Sequence, residues 1–399
     1  MFGYLLINII GLIVFIGVAF AFSKKKKEID WKSILIMLGL NLFLAWFLIS
    51  FPIGRAIVQG AANGFNWLVA TAYDGIGFAF GSWVQTEPMD FFVTALLPIL
   101  LVVPLFDILT YYGVLPWIIR KLGWFLSKVT GQPKFESFFA IEMMFLGNTE
   151  ALAVSGLQIK ANSDTRNLTL AMMSMSCVSA SIVGAYTQML PGAFVLTAIP
   201  LNIINAIIIT NILNPVNVPA EEDLIIEVKQ EEKEPFFSFL SDSIVAAGRL
   251  ILIIAASVIA FVALAALIDK VLLLIAPWLT LSNILGIIMF PFSFLLGLPV
   301  DEAFQMAQYM GTKLVTNEFV VMGEISPIID TFSPHFQAVI CTFLISFANF
   351  STLGMVIGCF KGLADKGTVN LISKHASYLL LSGVLVSLMS AGLVGLFVW

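Results

Sequence analysis

The chain has 399 residues, of which 59% are hydrophobic and only 11% are charged, and its mean hydropathy is +0.99. Soluble domains carry roughly a quarter charged residues, so this composition excludes a soluble globular protein and indicates an integral membrane protein. The net charge is −5, and the 20 Lys and Arg residues are gathered in a few loops, which excludes the basic face of a nucleic-acid-binding protein.

Apolar stretches recur along the chain, and many are about twenty residues long, enough to cross a hydrocarbon core of about 30 Å as a helix. Loops rich in Lys and Arg alternate with loops poor in them, and the positive-inside rule places the basic loops in the cytoplasm. Eight spans satisfy this alternation, with both termini outside. We predict these membrane helices near residues 3–22, 33–52, 91–112, 166–189, 193–213, 243–268, 336–360 and 374–398.

Three further apolar stretches do not match a simple span. Residues 55–82 carry polar residues and many glycines, which is typical of an interfacial helix on the outer face. Residues 135–160 and 282–324 are broken in the middle by polar clusters. Non-helical backbone at membrane depth is tolerated only where protein or water covers it, so we predict a re-entrant hairpin for each. The acidic loop 214–236 is predicted to be a solvated connector.

The two predicted hairpins are followed by similar sequences. The first contains GNTE at 147–150 and precedes ASIVG at 180–184. The second contains TNE at 316–318 and precedes FSTLG at 350–354. In the predicted topology, one hairpin enters from the cytoplasm and the other from outside. This arrangement is the inverted repeat of secondary transporters, whose broken elements build a binding site near the midplane.

Carboxylates inside apolar stretches are the strongest functional signal. A charged side chain at the bilayer centre costs at least ~3 kcal/mol, so it normally faces a cavity or a partner. Glu150 and Glu318 are the best candidates for binding a substrate or an ion, and Glu142 is a third. The alternatives are an ion pair between Glu150 and Lys313, and a Glu142 carboxylate that only satisfies a neighbouring helix. Lys313 either anchors the second hairpin, with Asn317, or acts in the site.

The residues beside Glu150 favour a hairpin tip. Successive helical residues are about 100° apart, so a regular helix would direct at least one of Asn148, Thr149 and Glu150 towards lipid. A turn after Gly147 would instead direct all three towards one ligand.

Two later spans carry candidate ligands. The run 174–181 is rich in serine, and small hydroxyl residues are common at contacts between membrane helices. Ser181 is the best cation ligand among them. Asn349 lies between two phenylalanines in an apolar span, where an amide beside an aromatic face suits a polar, ring-bearing ligand. The alternative for Asn349 is a hydrogen bond between helices.

Several catalytic and energy-coupling motifs are absent from the sequence. It contains no phosphate-binding Gly-x-x-x-x-Gly-Lys loop, no side chain placed as an activated nucleophile and no metal-ligand cluster. We therefore predict a secondary transporter that is not an enzyme and has no metal site and no cofactor, apart from co-transported H+ or Na+.

Three motifs resemble those of the concentrative nucleoside transporter family. FLGNTEA at 145–151 is similar to the family's first-hairpin motif, MGTKLVTNEFV at 310–320 to its second, and SFANFSTLG at 346–354 to its seventh-helix motif. Their order, spacing and flanking spans match over nearly the whole chain. The resemblance implies an all-α polytopic membrane protein with eight transmembrane helices and two opposed re-entrant hairpins in an inverted repeat, working as an elevator-type transporter.

The resemblance also implies the domain organisation and the partners. A scaffold of residues 1–113 and 214–272 would hold a mobile transport domain made of the repeats 114–213 and 273–399. The implied assembly is a homotrimer in the bacterial inner membrane. Its partners would be a nucleoside substrate and the lipid bilayer, with no nucleic acid.

Residue by residue, the resemblance implies a nucleoside site. Asn148, Thr149 and Glu150 would hydrogen-bond the nucleobase. The family usually has Gln at the position of Asn148, which is one methylene longer, so the base pocket here is expected to differ. The motif as it stands resembles a bacterial branch associated with purine nucleosides.

The second half is implied to hold the sugar. Glu318, Asn349 and Thr352 would bind the ribose, and Phe347 would pack nearby. The residues agree with this role, since carboxylates accept hydrogen bonds from sugar hydroxyls.

The cation site departs from the family pattern. Sodium-coupled members have Asn at the position of Met143, and a thioether is a poor ligand for a hard cation. The Ser181 hydroxyl and the carbonyls of Leu146 and Ile182 remain as ligands. We therefore favour H+ coupling, with Glu150 or Glu318 as the proton carrier, and keep Na+ coupling as the alternative.

Three other functions compete with nucleoside symport. The first is a membrane-embedded enzyme acting on a nucleoside or lipid, the second is a nucleoside sensor that shares the fold, and the third is a carrier for another small polar solute.

Overall fold

The computed structural model describes residues 2–85, 89–219, 221–225 and 233–399, and for Thr149 the backbone alone. Within these residues all regular structure is helical. The first helices in chain order are α1 (Phe2–Ala21), α2 (Trp31–Ile49), α3 (Pro52–Phe80), α4 (Ile99–Tyr111), α5 (Val114–Thr130), α6 (Lys134–Leu146), α7 (Asn148–Val154), α8 (Gly156–Ala161), α9 (Asp164–Met173), α10 (Ala180–Thr187) and α11 (Gly192–Leu213). They are followed by α12 (Phe236–Leu273), α13 (Leu281–Phe294), α14 (Val300–Val315), α15 (Glu318–Ile325), α16 (Pro334–Leu344), α17 (Phe350–Leu363), α18 (Lys366–Lys374) and α19 (Ala376–Gly395).

Six helices among the described residues are long and apolar enough to cross a membrane. One of them, Phe92–Tyr111, consists of a π-helical turn followed by α4. They are α1, α2, Phe92–Tyr111, α11, α12 and α19, and they match six of the predicted spans. An 18-residue stretch is 72% buried in α11 and 78% buried in α19, but only 6% buried in α12. The first two therefore form the centre of the protein, while α12 presents an apolar surface to lipid or to a protein neighbour.

The remaining two predicted spans, 166–189 and 336–360, were expected as unbroken helices, and that detail is wrong. Each is divided into two short helices, α9 and α10 in the first and α16 and α17 in the second. At the first break, the Ser176 hydroxyl donates to the Met173 carbonyl at 3.0 Å. At the second, Asn349 caps the new helix. At each break, a polar side chain thus hydrogen-bonds a backbone group near the interrupted helix.

Both predicted hairpins are present, and each has its break among the polar residues. In the first, α6 ends at Leu146 and α7 begins at Asn148. In the second, α14 ends at Val315 and α15 begins at Glu318, while α13 packs against α14 as an additional arm. The predicted interfacial stretch is the single 29-residue helix α3.

The order of elements repeats along the chain. The first copy is α5, α6, the break, α7–α8, the divided span α9–α10 and then α11. The second is α13, α14, the break, α15, the divided span α16–α17, α18 and then α19. This order confirms the predicted repeat. Both hairpin tips and both divided spans meet in one region, which α4 and α12 line from one side.

Candidate substrate-binding site

A cavity of about 380 Å³ lies where the two hairpin tips meet the two divided spans. Helices α4 and α12 form another of its walls. The lining includes ten of the residues singled out from the sequence, namely Leu146, Asn148, Glu150, Ser181, Ile182, Asn317, Glu318, Phe347, Asn349 and Thr352. The Thr149 side chain lies outside the described residues.

Glu318 is a buried carboxylate of the cavity that two side chains hold in place. It is the first residue of α15 and only 2% exposed. Its Oε1 accepts a hydrogen bond from the Tyr186 hydroxyl at 3.0 Å, and its Oε2 accepts one from the Asn349 amide at 3.1 Å. Two donors on two other helices therefore fix the carboxylate before any ligand arrives.

Two asparagines explain why the second half breaks where it does. Asn317 Oδ1 accepts from the backbone N–H of Val320 at 3.1 Å, and Asn349 Oδ1 accepts from that of Thr352 at 2.8 Å. Both are N-caps, which satisfy the free N–H groups of a helix start. Asn317, predicted as structural, thus both starts α15 and lines the cavity. Because α15 and α17 begin beside the cavity, the partial positive charge of each helix N-terminus lies next to it.

The first half forms its tip differently. Gly147 has φ +95°, a conformation that favours glycine. A Cβ at this position would lie 3.0 Å from the Cβ of Ser179 and 3.2 Å from a Glu150 carboxylate oxygen. The hairpin tip therefore rests on the divided span α9–α10, and a side chain at Gly147 would push the two apart.

Side chains around this tip join the two elements of the first half. The Asn148 amide donates to the Ser174 carbonyl at 3.3 Å, and the Ser179 and Ser181 hydroxyls lie 3.0 Å apart. Glu150 is exposed and lines the cavity. An amide, hydroxyls and a carboxylate therefore face the same space.

Three predicted residues lie behind the cavity wall. Met143 is fully buried, and its sulfur accepts from the Ser174 hydroxyl at 3.7 Å. Glu142 accepts from the Ser155 hydroxyl, a partner within the same hairpin, at 3.0 Å. Lys313 is also fully buried, and its contacts tie α14 to the divided span of the second half.

The Lys313 ammonium, considered from the sequence as a partner for Glu150, is held by the second divided span. Its Nζ donates to the Phe343 carbonyl and to the Ser346 hydroxyl, each at 2.6 Å, and lies 4.5 Å from the centroid of the Phe343 ring. These contacts support the anchoring role.

Two functional candidates were missed from the sequence. Tyr186 is fully buried, donates to Glu318 and packs on Phe319 with ring centroids 5.1 Å apart. Asp107 lines the cavity from α4 and accepts from the Ser243 hydroxyl. Both are titratable side chains within predicted spans, which is the signal that could have identified them.

The cavity is acidic. Its charged lining residues among those described are Asp107, Glu150 and Glu318, without Lys or Arg. Such a lining favours a ligand rich in hydrogen-bond donors, or one accompanied by a cation. A cavity that holds converging polar groups and is enclosed by opposed hairpins and divided spans of an inverted repeat is the site of a secondary membrane transporter.

Comparison with known proteins specifies that class. The descriptions "Na+ dependent nucleoside transporter N-terminus", "Nucleoside recognition" and "Na+ dependent nucleoside transporter C-terminus" match residues 10–83, 92–192 and 194–395. The chain therefore belongs to this nucleoside transporter family.

Relatives and solved structures agree with this assignment. A purine nucleoside transport protein of Bacillus subtilis is 48% identical over 99% of this chain and 100% of its own length. A nucleoside permease of Helicobacter pylori is 28% identical over 98% of each chain. The structure of the transporter CNTnw in an inward-facing substrate-bound state is 25% identical, with a TM-score of 0.92 over 99% of this chain and 98% of that one. These relatives are transport proteins, which confirms the prediction that the chain is not an enzyme.

Proposed function

We propose that the protein imports nucleosides, and purine nucleosides in particular, across the bacterial inner membrane by symport with a cation, H+ being favoured. The observation that carries this proposal is the cavity in which Glu318, fixed by Tyr186 and Asn349, shares one space with Asn148 and Glu150. The purine preference is supported by the B. subtilis relative, which is described as a purine nucleoside transport protein.

The second half supplies the proposed ribose site. A sugar presents hydroxyl groups that both donate and accept, and a carboxylate with an amide beside it can bind two of them. Glu318 and Asn349 are already joined at 3.1 Å, and Thr352 lies one turn into α17. Phe347 lines the same region and gives the ribose or base an apolar face.

The first half supplies the proposed base site. Asn148, Thr149 and Glu150 follow the turn at Gly147, and the first and last of them line the cavity. An amide offers donors and an acceptor, and a carboxylate accepts from ring N–H or amino groups. These groups can therefore read the edge of a nucleobase.

Proton coupling is supported by the surroundings of Met143. Its sulfur occupies the position next to the Ser174 hydroxyl, and sulfur is a poor ligand for Na+. Glu150 or Glu318 would then carry the proton. Sodium coupling is the second candidate, because Ser181, Leu146 and Ile182 still line the cavity and the matching family description is of Na+ dependent transporters.

The proposed movement is that of an elevator. Residues 114–213 and 273–399 would carry the site past a scaffold of 1–113 and 214–272, in a trimer with both termini outside. CNTnw has been solved in inward-facing, outward-facing and intermediate states, and these resemble the chain with TM-scores from 0.90 to 0.93. A fold that accommodates all three states supports alternating access by moving part of the molecule.

Uptake into proteoliposomes tests the proposal. Radiolabelled inosine and uridine are supplied with either a proton gradient or a sodium gradient. We expect accumulation of inosine driven by the proton gradient, with weaker uptake of uridine. Accumulation driven only by sodium would contradict the ion assignment, and failure of both nucleosides to accumulate would favour a carrier for another solute. Binding without accumulation would indicate a sensor.

A further inference from the structure

One carboxylate of the cavity has no part in the proposed binding of base or ribose. Asp107 lies on α4 and lines the cavity from the wall that α4 and α12 form. A carboxylate within a membrane span is normally found facing a partner or a ligand.

Among the described residues, a partner is present for only one of its oxygens. The Ser243 hydroxyl on α12 donates to Asp107 Oδ2. Across the described part of the chain, the ion pairs are Lys25–Glu28, Lys134–Asp223 and Arg166–Glu136, so none of them neutralises Asp107. Ser243 thus fixes the orientation of the carboxylate, and Oδ1 remains to accept a hydrogen bond.

The rest of this wall offers little competition for a polar ligand. Val103, Phe106 and Leu250 are apolar, and the Thr110 hydroxyl donates to the Phe106 carbonyl of its own helix at 3.1 Å. Ser257 of α12 adds one uncharged hydroxyl to this wall. Asp107 is therefore the one charged group that α4 and α12 present to the cavity among the described residues.

Asp107 also lies near one end of the span. One turn further along α4, the Tyr111 hydroxyl donates to the Glu234 carbonyl at 2.9 Å, and the Lys233 ammonium donates to the Tyr111 carbonyl at 3.1 Å. Both partners belong to the connector before α12, which the positive-inside rule places in the cytoplasm. The Asp107 carboxylate therefore marks the cytoplasmic side of the cavity in the proposed topology.

We propose that Asp107 is a further substrate-binding residue that contacts the nucleoside only when the site faces the cytoplasm, and that Ser243 positions it. Its Oδ1 accepts an N–H or O–H group of the nucleoside. This inference rests on the proposed function. Because α4 and α12 belong to the proposed scaffold, a site that moves past them makes this contact in one end state and loses it in the other. A contact made in one state raises affinity in that state alone.

Transport from the two sides of the membrane tests this proposal. The concentration dependence of inosine uptake is measured in right-side-out and inside-out membrane vesicles with matched gradients. For Asp107→Asn we expect the half-saturating concentration to rise about tenfold in inside-out vesicles and to change less than about twofold in right-side-out vesicles, because a lost hydrogen bond to a charged group has an effect of this order. Ser243→Ala should shift it in the same direction by less.

The matched control is Asp242→Asn, which removes the same charge from an exposed residue next to Ser243. It should leave both vesicle types unchanged. The proposal would be overturned if Asp107→Asn shifted the half-saturating inosine concentration equally in both vesicle types. It would also be overturned if neither Asp107→Asn nor Ser243→Ala shifted that concentration in either vesicle type. Wild-type vesicles without inosine uptake would instead refute the proposed function, and this inference with it.

Discussion

The two halves of the inverted repeat have the same order of elements but hold their breaks in different ways. In the second half, Asn317 and Asn349 cap the new helices, and Glu318 already accepts two hydrogen bonds. In the first half, the turn depends on Gly147 with a positive φ, and Glu150 is exposed to the cavity.

This difference suits the two halves to different parts of the proposed ligand. A group whose partners are in place before binding needs little reorganisation when its ligand arrives. The second half therefore offers a preformed site suited to the ribose, which all nucleosides share. In the first half, the exposed Glu150 carboxylate suits the proposed variable base or coupling ion.

The largest effect should come from removing the charge of the preformed site. Glu318→Gln keeps the shape but places an amide where two donors converge, so we expect nucleoside uptake to fall by roughly 100-fold or more, at the upper end for hydrogen bonds to charged groups. Expression and oligomeric state should remain normal. Uptake into proteoliposomes is the measurement, and Glu324→Gln, an exposed carboxylate on the same helix, is the control. Wild-type uptake by Glu318→Gln would remove this residue from the site.

Loss of the Lys313 ammonium should affect stability most. Lys313→Met leaves the buried Phe343 carbonyl without its donor, which costs about 1–3 kcal/mol, while the Ser346 hydroxyl keeps its hydrogen bond with Ser387. We expect a lower temperature of thermal unfolding in detergent together with reduced uptake. Lys270→Met, on the exposed surface of α12, should leave both unchanged. An unchanged unfolding temperature for Lys313→Met would contradict the anchoring role.

A smaller effect is expected from Tyr186→Phe. The ring still packs on Phe319, but the hydrogen bond to Glu318 is lost while the one from Asn349 remains. We expect the half-saturating inosine concentration to rise roughly three- to tenfold, as for one ordinary hydrogen bond. Unchanged kinetics would show that one donor is enough to hold the carboxylate.

The smallest effect is expected in the first half. Met143→Asn adds an amide oxygen beside the Ser174 hydroxyl, and oxygen is the ligand that hard cations prefer. We expect uptake to become responsive to sodium, measured with and without a sodium gradient. If sodium has no influence on this variant, Met143 is not what weakens the cation site.

The sequence was sufficient to predict most of the fold and the location of the cavity. The long apolar spans, the two polar breaks and the repeat between GNTE and TNE were visible because each involves many residues or a charged one. Ten predicted residues line the cavity. Their roles in binding and coupling remain predictions.

Two kinds of feature were not predicted from the sequence, namely local breaks within apolar spans and contacts between distant residues. The breaks after Met173 and Leu344 lie inside spans that are apolar on average, so a hydropathy pattern does not distinguish them from continuous helix. Helix α13 was merged into the second hairpin for the same reason. Tyr186 and Asp107 were overlooked because their importance depends on partners far away in the chain, Glu318 and Ser243.

The central claim is that the second half binds the ribose and the first half binds the base. A structure of the protein in lipid nanodiscs with bound inosine tests this claim most directly. We predict that the ribose hydroxyls lie within hydrogen-bond distance of Glu318 and Asn349, that the base lies at residues 148–150, and that the Tyr186–Glu318 contact is retained. Inosine bound with its ribose against the first hairpin, or outside the cavity, would contradict the account.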